Sequence, residues 1–409
     1  MKALIERCAG LDVHKATVVA TMRIPDANGE REVTTQTFAT TTAGLLALCD
    51  WLEAAGVTDV ALESTGDYWK PVYYVLEDHV RLLLVNAQHV KQVPGRKSDV
   101  TDSGWLAQLL ECGLLRSSFV PPAPIRELRD LTRYRKQTIR DRNREVNRLQ
   151  RVLEAAQIKL SSVASDVMGV SGRAMIAALI AGTTDPVVLA DLAQGKLRKK
   201  LPALRAALHG RFGAHHAFLL TQILSKMETL EGIIGDCSTQ IATQLAPFQE
   251  VLTQLMTIPG VKRRTAEVIV AETGADMGRF PTDAHLCSWA ALCPGQHESA
   301  GKQRTGRTRH GNPYLRTALV EAASAAARTK GSALQARYRR IKARRGYQKA
   351  VVAVAHHLLT IAYHVMAQGV PYTELGADYF DRRQRDRVTR RYVRHLEQLG
   401  YRVHLETAA

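Results

Sequence analysis

The chain has no CxxC pair. Its six cysteines, at 8, 49, 112, 237, 287 and 293, are scattered, which argues against a zinc knuckle and against a disulfide framework. Cys287 and Cys293 stand in apolar stretches and read as packing residues. A reducing cytoplasmic location is expected. No apolar run approaches the ~20 residues that span a bilayer, so no membrane association is expected. The opening "MKALIERCAGLDVHK" has charges inside any would-be signal core. Acid is scarce too: 39 Asp+Glu stand against 56 Lys+Arg, a net charge of +17 over 409 residues. Such an excess favours polyanionic partners, nucleic acid first and anionic membrane second. The apolar share of 45% is that of ordinary folded protein, and the length exceeds one core, so two or three domains are expected.

In a chain so basic, the placement of the acids carries information. "AGLDVHKATVVATMRI" reads as two short strands and "REVTTQTFAT" as a third. "TAGLLALCDWLEAAG" has helical spacing and ends at Gly56, "VTDVALEST" is a fourth strand, and "YWKPVYYVLEDH" is a helix with Pro71 in its first turn. "VRLLLVN" is a buried fifth strand, and "KSDVTDSGW" opens a helix expected over 99–115. This is an α/β pattern in which Asp12 and Glu63 mark strands one and four, and Asp99 and Asp102 would share a face of the last helix. Strand ends cluster on one edge of an open sheet, so the four can converge. Lys15 and Lys97, as flexible point charges, would not neutralise four carboxylates, whereas a hard cation would. Mg²⁺ suits best, because it takes oxygen ligands and joins carboxylates to phosphate oxygens. The plainer alternative is that Ser98 caps the helix and the two aspartates complement its dipole.

"GLDVHK", "ALESTGDYW" and "KSDVTDSGWLA" resemble the aspartate–glutamate–aspartate–aspartate signature of a transposase family, the insertion-sequence family numbered one hundred and ten. That family includes the Piv DNA invertases and the bridge-RNA-guided recombinases. The resemblance implies an RNase-H-like (RuvC-like) N-terminal domain in which Asp12, Glu63, Asp99 and Asp102 hold Mg²⁺.

After the proline-rich break "FVPPAP", residues 125–160 run without Gly or Pro. Ile125, Leu128, Ile139, Val146, Leu149, Leu153, Ala156 and Leu160 follow a rough heptad seam, interrupted by Thr132, Arg135 and Arg142. A long coiled-coil-like helix is expected, one that mediates self-association and offers Arg126, Arg133, Arg140 and Arg144 to nucleic acid. Residues 161–250 read as helical scaffold, and no chemistry is assigned to His209, His215 or His216.

"MTIPGVKRRTAEVIVAETG" reads as a helix-hairpin-helix in a mostly helical C-terminal domain, its turn and Lys262, Arg263 and Arg264 facing DNA phosphate. From Lys302 to Lys349 fourteen Lys/Arg face one acid, Glu321; Lys302, Arg304, Arg307, Arg309 and Arg316 are further expected nucleic-acid contacts. In "HESAGK", Ser299 read alone is a loop serine. This stretch is similar to the family's C-terminal domain, whose nucleophilic serine lies in a Ser-Gly-Gly-Lys-like loop ahead of "GN..LR". Ser299 is the matching position, followed by Gly301, Lys302, Gly311, Asn312, Leu315 and Arg316. Glu298 and Ala300 depart from that pattern, and Ser288 and Ser324 are the nearest competitors. The tail "DRVTRRYVRHLEQLG" is an amphipathic basic helix.

The expected division is 1–118, 119–250, 251–345 and 346–409. The resemblance implies a Mg²⁺-dependent recombinase that cuts donor and target DNA through Ser299, keeping the bond energy as a 5′-phosphoserine link. It also implies composite sites in a homo-oligomer, dimer to tetramer, and a structured non-coding guide RNA. The rival expectations are a RuvC-like nuclease that uses water and a non-catalytic nucleic-acid-binding protein.

Overall fold

The computed structural model describes residues 3–406 except 65, 94–100, 296, 306, 309–310, 380–381 and 383–384. At 88, 91–92, 297–299, 302–305, 385–388 and 391 it describes the backbone alone. The chain forms two compact units, Met1–Val120 and Pro121–Ala409.

In the first unit, β1 (Cys8–Val13), β2 (Thr17–Pro25), β3 (Arg31–Ala39), β4 (Asp59–Glu63) and β5 (Arg81–Val85) make one sheet, ordered β3-β2-β1-β4-β5. β1–β2 and β2–β3 are antiparallel, as short connections allow, while β1–β4 and β4–β5 are parallel, the first reached through β2, β3 and a helix and the second through a single helical crossover. This mixed five-stranded sheet is compatible with an RNase-H-like fold.

Side chains of β1 and β4 alternate between two cores. Ala9, Leu11, Val60 and Leu62 pack with α1 (Thr42–Ala54) and α2 (Trp69–Leu76). Cys8, Ala61 and Leu110 pack on the other face, under α4 (Asp102–Glu111). Between α2 and α4, α3 (Ala87–Gln92) follows β5.

The helix α4 lies on β1 without a side chain between them. A Cβ at Gly10 would fall 2.2 Å from the Ser103 carbonyl oxygen and 2.4 Å from the Ala107 nitrogen. Ser103, fully buried, shares a 2.8 Å hydrogen bond with Thr21 of β2. The helix expected from residue 99 opens at Asp102. Thr101, not Ser98, is its N-cap, accepting from the Gly104 nitrogen at 3.1 Å.

The second unit begins with α5 (Ala123–Ala155), Pro122 and Pro124 marking its start. It stops short of the expected residue 160, because Gln157 takes a left-handed φ of +63°. Next come α6 (Leu160–Val163), α7 (Val170–Ile180), α8 (Pro186–Asp191), α9 (Leu201–Leu208) and α10 (Ala214–Gln244). Then follow α11 (Gln249–Met256), α12 (Arg263–Thr273), α13 (Asp283–Trp289), α14 (Pro313–Ala326), α15 (Ala333–Arg345) and α16 (Tyr347–Gln368). A last helix spans Arg385–Gln398.

The seam of α5 is covered within the chain, by α10 along its length and by α12. Ile125, Leu128, Leu149 and Leu153 are buried there. The polar interruptions meet partners: Arg135 pairs with buried Glu267 of α12 at 2.6 Å, and Arg142 with Glu231 of α10 at 2.7 Å. Burial resists the charge on Glu231, but hydrogen bonds and charge from Arg142 and Arg173 prevail and hold it below the usual carboxylate range. Packing crosses the expected divisions at 250 and 345: α5 meets α12, and α16 meets α11, α13, α14 and α15.

One expectation is corrected. α16 has 22 residues and an 18-residue window of mean hydropathy 1.6, long and apolar enough to cross a membrane. Half of that window is buried inside the unit, as in a core helix.

Candidate active site and nucleic-acid interface

The register of β1 on β4 brings two of the four acids together. Leu11 pairs with Leu62, so Asp12 and Glu63, each the next residue, leave the sheet side by side. Gly10 faces α4, and two residues on, Asp12 lies on that face; Ala61 and Glu63 stand in the same relation. Asp102 opens α4, one residue before the Ser103 that rests on Gly10. Asp12, Glu63 and Asp102 therefore share one face at the C-terminal edge of the parallel strands, where open α/β sheets carry their sites. Asp99 lies outside the described residues, as does Lys97.

The set is open. Asp12 is half-buried and its Oδ2 lies 3.1 Å from His14 Nε2. Among the described residues, no three of these side chains bring ligand atoms mutually within 4.8 Å; the trio that does is Cys49, Glu53 and His79, on the α1 side of the sheet. The donor chemistry of the edge fits a hard cation: carboxylate oxygens, partly exposed, on one rim. The opposite edge differs. There Glu111 is held by Arg23 at 2.7 Å and Arg31 at 2.6 Å, and Asp59 pairs with Arg81, so those acids are structural.

The stretch "HESAGK" folds as a hairpin that sequence reading treated as a loop. β6 (His297–Ser299) pairs with β7 (Lys302–Thr305), Ser299 opposite Lys302. The two residues between, Ala300 at φ +52° and Gly301 at φ +72°, make a turn with both φ positive. The foot is closed by the Pro294–Thr308 bridge and by Gly295 N–H donating to the Arg307 carbonyl at 2.8 Å. Ser299 thus ends a strand at a tight turn. The competitors are helical: Ser288 lies in α13, and Ser324 in α14 donates to the Val320 carbonyl at 3.0 Å.

The "GN" step after the hairpin has two physical reasons. A Cβ at Gly311 would fall 2.4 Å from Ala291 Cβ, so only glycine fits. Asn312 caps α14, accepting from the Tyr314 and Leu315 nitrogens, while its Nδ2 donates to Glu272 Oε2. Glu272, fully buried, also takes two 2.8 Å hydrogen bonds from Arg133 and an ion pair from Arg129 at 3.2 Å. Burial alone would lower the Arg133 pKa; the hydrogen bonds and charge of Glu272 outweigh it and raise the pKa. Glu272 ties α5, α12 and α14 together and was not singled out from sequence, because its partners lie 139 and 40 residues away.

The basic residues divide accordingly. Arg133 is committed to Glu272, Arg126 donates to the Pro121 carbonyl, and Arg263 pairs with Glu267 at 2.9 Å. Arg144 is exposed beside Asp141, and Arg140, Lys262, Arg264 and Arg307 are exposed. Arg316 is half-buried. The side chains of Lys302 and Arg304, and all of Arg309, lie outside the described residues. α11 and α12 are joined by a turn at Pro259–Gly260, which seats on α14: a Cβ on Gly260 would fall 2.3 Å from the Ala322 carbonyl oxygen. α12 begins at Arg263, and its N-cap Lys262 makes no side-chain cap, so the first N–H groups of the helix have no capping partner there, beside exposed Lys262 and Arg264. All six cysteines are free, and burial pushes the Cys287 thiol up to about 11.

A mixed α/β sheet with carboxylates on its C-terminal rim, followed by a basic helical unit, is compatible with one class: enzymes that act on nucleic acid. The comparisons name the family. Residues 9–158 match a DEDD transposase model of the IS110 type, and residues 252–339 match the model for the transposase IS116/IS110/IS902 family. Together they take in more than half of the chain. The "Probable family 20 transposase" of Pseudomonas aeruginosa PAO1 is 24% identical over 320 residues, covering 76% of this chain and 85% of that protein. The chain belongs to the IS110 family of transposases.

Proposed function

We propose that this transposase cuts and rejoins DNA through Ser299, with Mg²⁺ held by Asp12, Glu63, Asp99 and Asp102. The observation that carries the metal half is the register that sets Asp12 and Glu63 side by side on the α4 face. The bound ion would supply Lewis-acid polarisation of the scissile phosphate and relief of its charge. Ser299 Oγ attacks the phosphorus; the P–Oγ bond forms as the P–O3′ bond breaks. The hydroxyl proton ends on the departing 3′ oxygen. A 3′-hydroxyl from another end then attacks the phosphoserine, restoring the serine and the phosphodiester with no loss of bond energy. A hairpin clamped at its foot supports this role, because it fixes the backbone that carries the hydroxyl.

The N–H groups that open α12 without a side-chain cap, in a helix-hairpin-helix, grip DNA phosphate with Lys262 and Arg264. The exposed arginines of α5, the long coiled-coil-like helix, take a structured guide RNA, and the protein works in the cytoplasm as a homo-oligomer. The test pairs two variants on a strand-exchange substrate with Mg²⁺. Ser299→Ala is expected to lose exchange and any covalent adduct while binding DNA as the parent does. Asp12→Ala is expected to lose cleavage while sparing binding. Cutting that persists in Ser299→Ala would defeat the serine assignment, and exchange that survives Asp12→Ala would defeat the metal assignment.

A further inference from the structure

Between α5, α12 and α14 lies a cavity of about 310 Å³ that strand cleavage does not use. We propose that it receives one unstacked nucleotide of a single-stranded nucleic-acid segment. The inference rests on the nucleic-acid function above and adds a site to it.

Its volume is more than a phosphate fills and falls where small-ligand sites begin. The floor is fixed: Arg133 is locked bidentately on buried Glu272, and its guanidinium carbon lies 4.8 Å from the centroid of the Tyr314 ring. A guanidinium tied to a buried carboxylate does not leave to bind phosphate. It stays as the flat partner of the ring, and the two offer a stacking surface. Val268 and Ile139 supply apolar wall for the faces of a base, and Asn143 an amide for its edge.

The mouth is cationic. Arg264 is exposed, and no carboxylate pairs with it among the described residues. Lys136 is held at 2.8 Å by Glu321, whose side chain is 62% exposed. Such a surface pair has small net worth, and a phosphate competes for the ammonium. Stacking within and cations at the lip match a base joined to its backbone phosphate. A base inside a duplex is stacked and paired and does not reach the floor, so the occupant comes from an unpaired segment. DNA and RNA strands share this chemistry, and the test separates them.

The test uses the full chain and three fluorescein-labelled probes: twelve-nucleotide oligo(dT), twelve-nucleotide oligo(rU) and a twelve-base-pair DNA duplex, read by anisotropy at fixed salt. Tyr314→Leu is expected to weaken one or both single strands by about tenfold and Tyr314→Phe by less than about twofold, the duplex holding within about twofold in each. The strand that loses affinity names the source. Lys136→Ala is expected to weaken the same strand and to reduce its salt slope by about one. If Tyr314→Leu leaves both single strands unchanged, or weakens the duplex equally, the cavity is not a nucleotide site, although the wider reading stands. Failure of the parent protein to bind any probe would defeat both. Should Tyr314→Leu not fold, 4-thiothymidine and 4-thiouridine cross-linking of the parent decides: adducts on cavity residues of α5, α12 or α14 support the site, and adducts only elsewhere overturn it.

Discussion

Ala300 sits at φ +52°, a conformation that costs an L-residue about 1 kcal/mol or more. Ala300→Gly is therefore expected to stabilise the hairpin by about 1 kcal/mol, read as a higher thermal midpoint with cleavage retained; a lower midpoint would mean that the turn is built otherwise. Gly10 is the reverse case. Any Cβ there meets the α4 backbone at 2.2 Å, so Gly10→Ala is expected to cost about 1–3 kcal/mol and to abolish cleavage by moving Asp102 away from Asp12. Retention of parental stability and rate would show that α4 does not rest on β1. The two positions also show what sequence can reveal. Asp12 and Glu63 were legible because each ends an apolar run, and parallel strand ends must share an edge. The hairpin was not, because alanine at a positive φ hides the glycine signal of the turn. Thr101 was missed as a cap because Ser98, three residues earlier, offers the same chemistry.

At the scale of elements, the junction of α5, α12 and α14 rests on buried ion pairs. Glu272→Gln leaves two guanidiniums without their carboxylate and is expected to cost about 3–5 kcal/mol, measured by urea denaturation. A loss under 1 kcal/mol would mean that Arg129 and Arg133 re-pair with water. Arginine density along α5 suggested a polyanion partner, yet Arg133, Arg135 and Arg142 serve acids of α10 and α12, far off in sequence. The heptad seam was likewise legible as apolar, but periodicity does not say which helix covers it, and α10 of the same chain does so.

For the whole molecule, charge sets two behaviours. In α16, burial first, then the charges of Arg337 and His356, lower the His357 pKa to about 4. Its unfolded value is about 6.5. The unfolded chain therefore binds more protons between those values, and stability complete above pH 6.5 is lost as pH falls toward 4, by up to about 3 kcal/mol. His357→Leu is expected to flatten the fall of the thermal midpoint over that window; an unchanged slope would place the effect elsewhere. With a net charge of +17, DNA affinity is expected to fall as salt rises, with a slope set by the number of phosphates that the cations contact. The most direct measurement of the central claim is denaturing electrophoresis of the protein with Mg²⁺ and DNA labelled on the 5′ side and 3′ side of the cut in turn. A covalent species that carries the strand 3′ of the cut, maps to Ser299 and disappears in Ser299→Ala is the expected result. Cleavage by the parent that yields only free 5′-phosphate ends, with no protein attached, would contradict it.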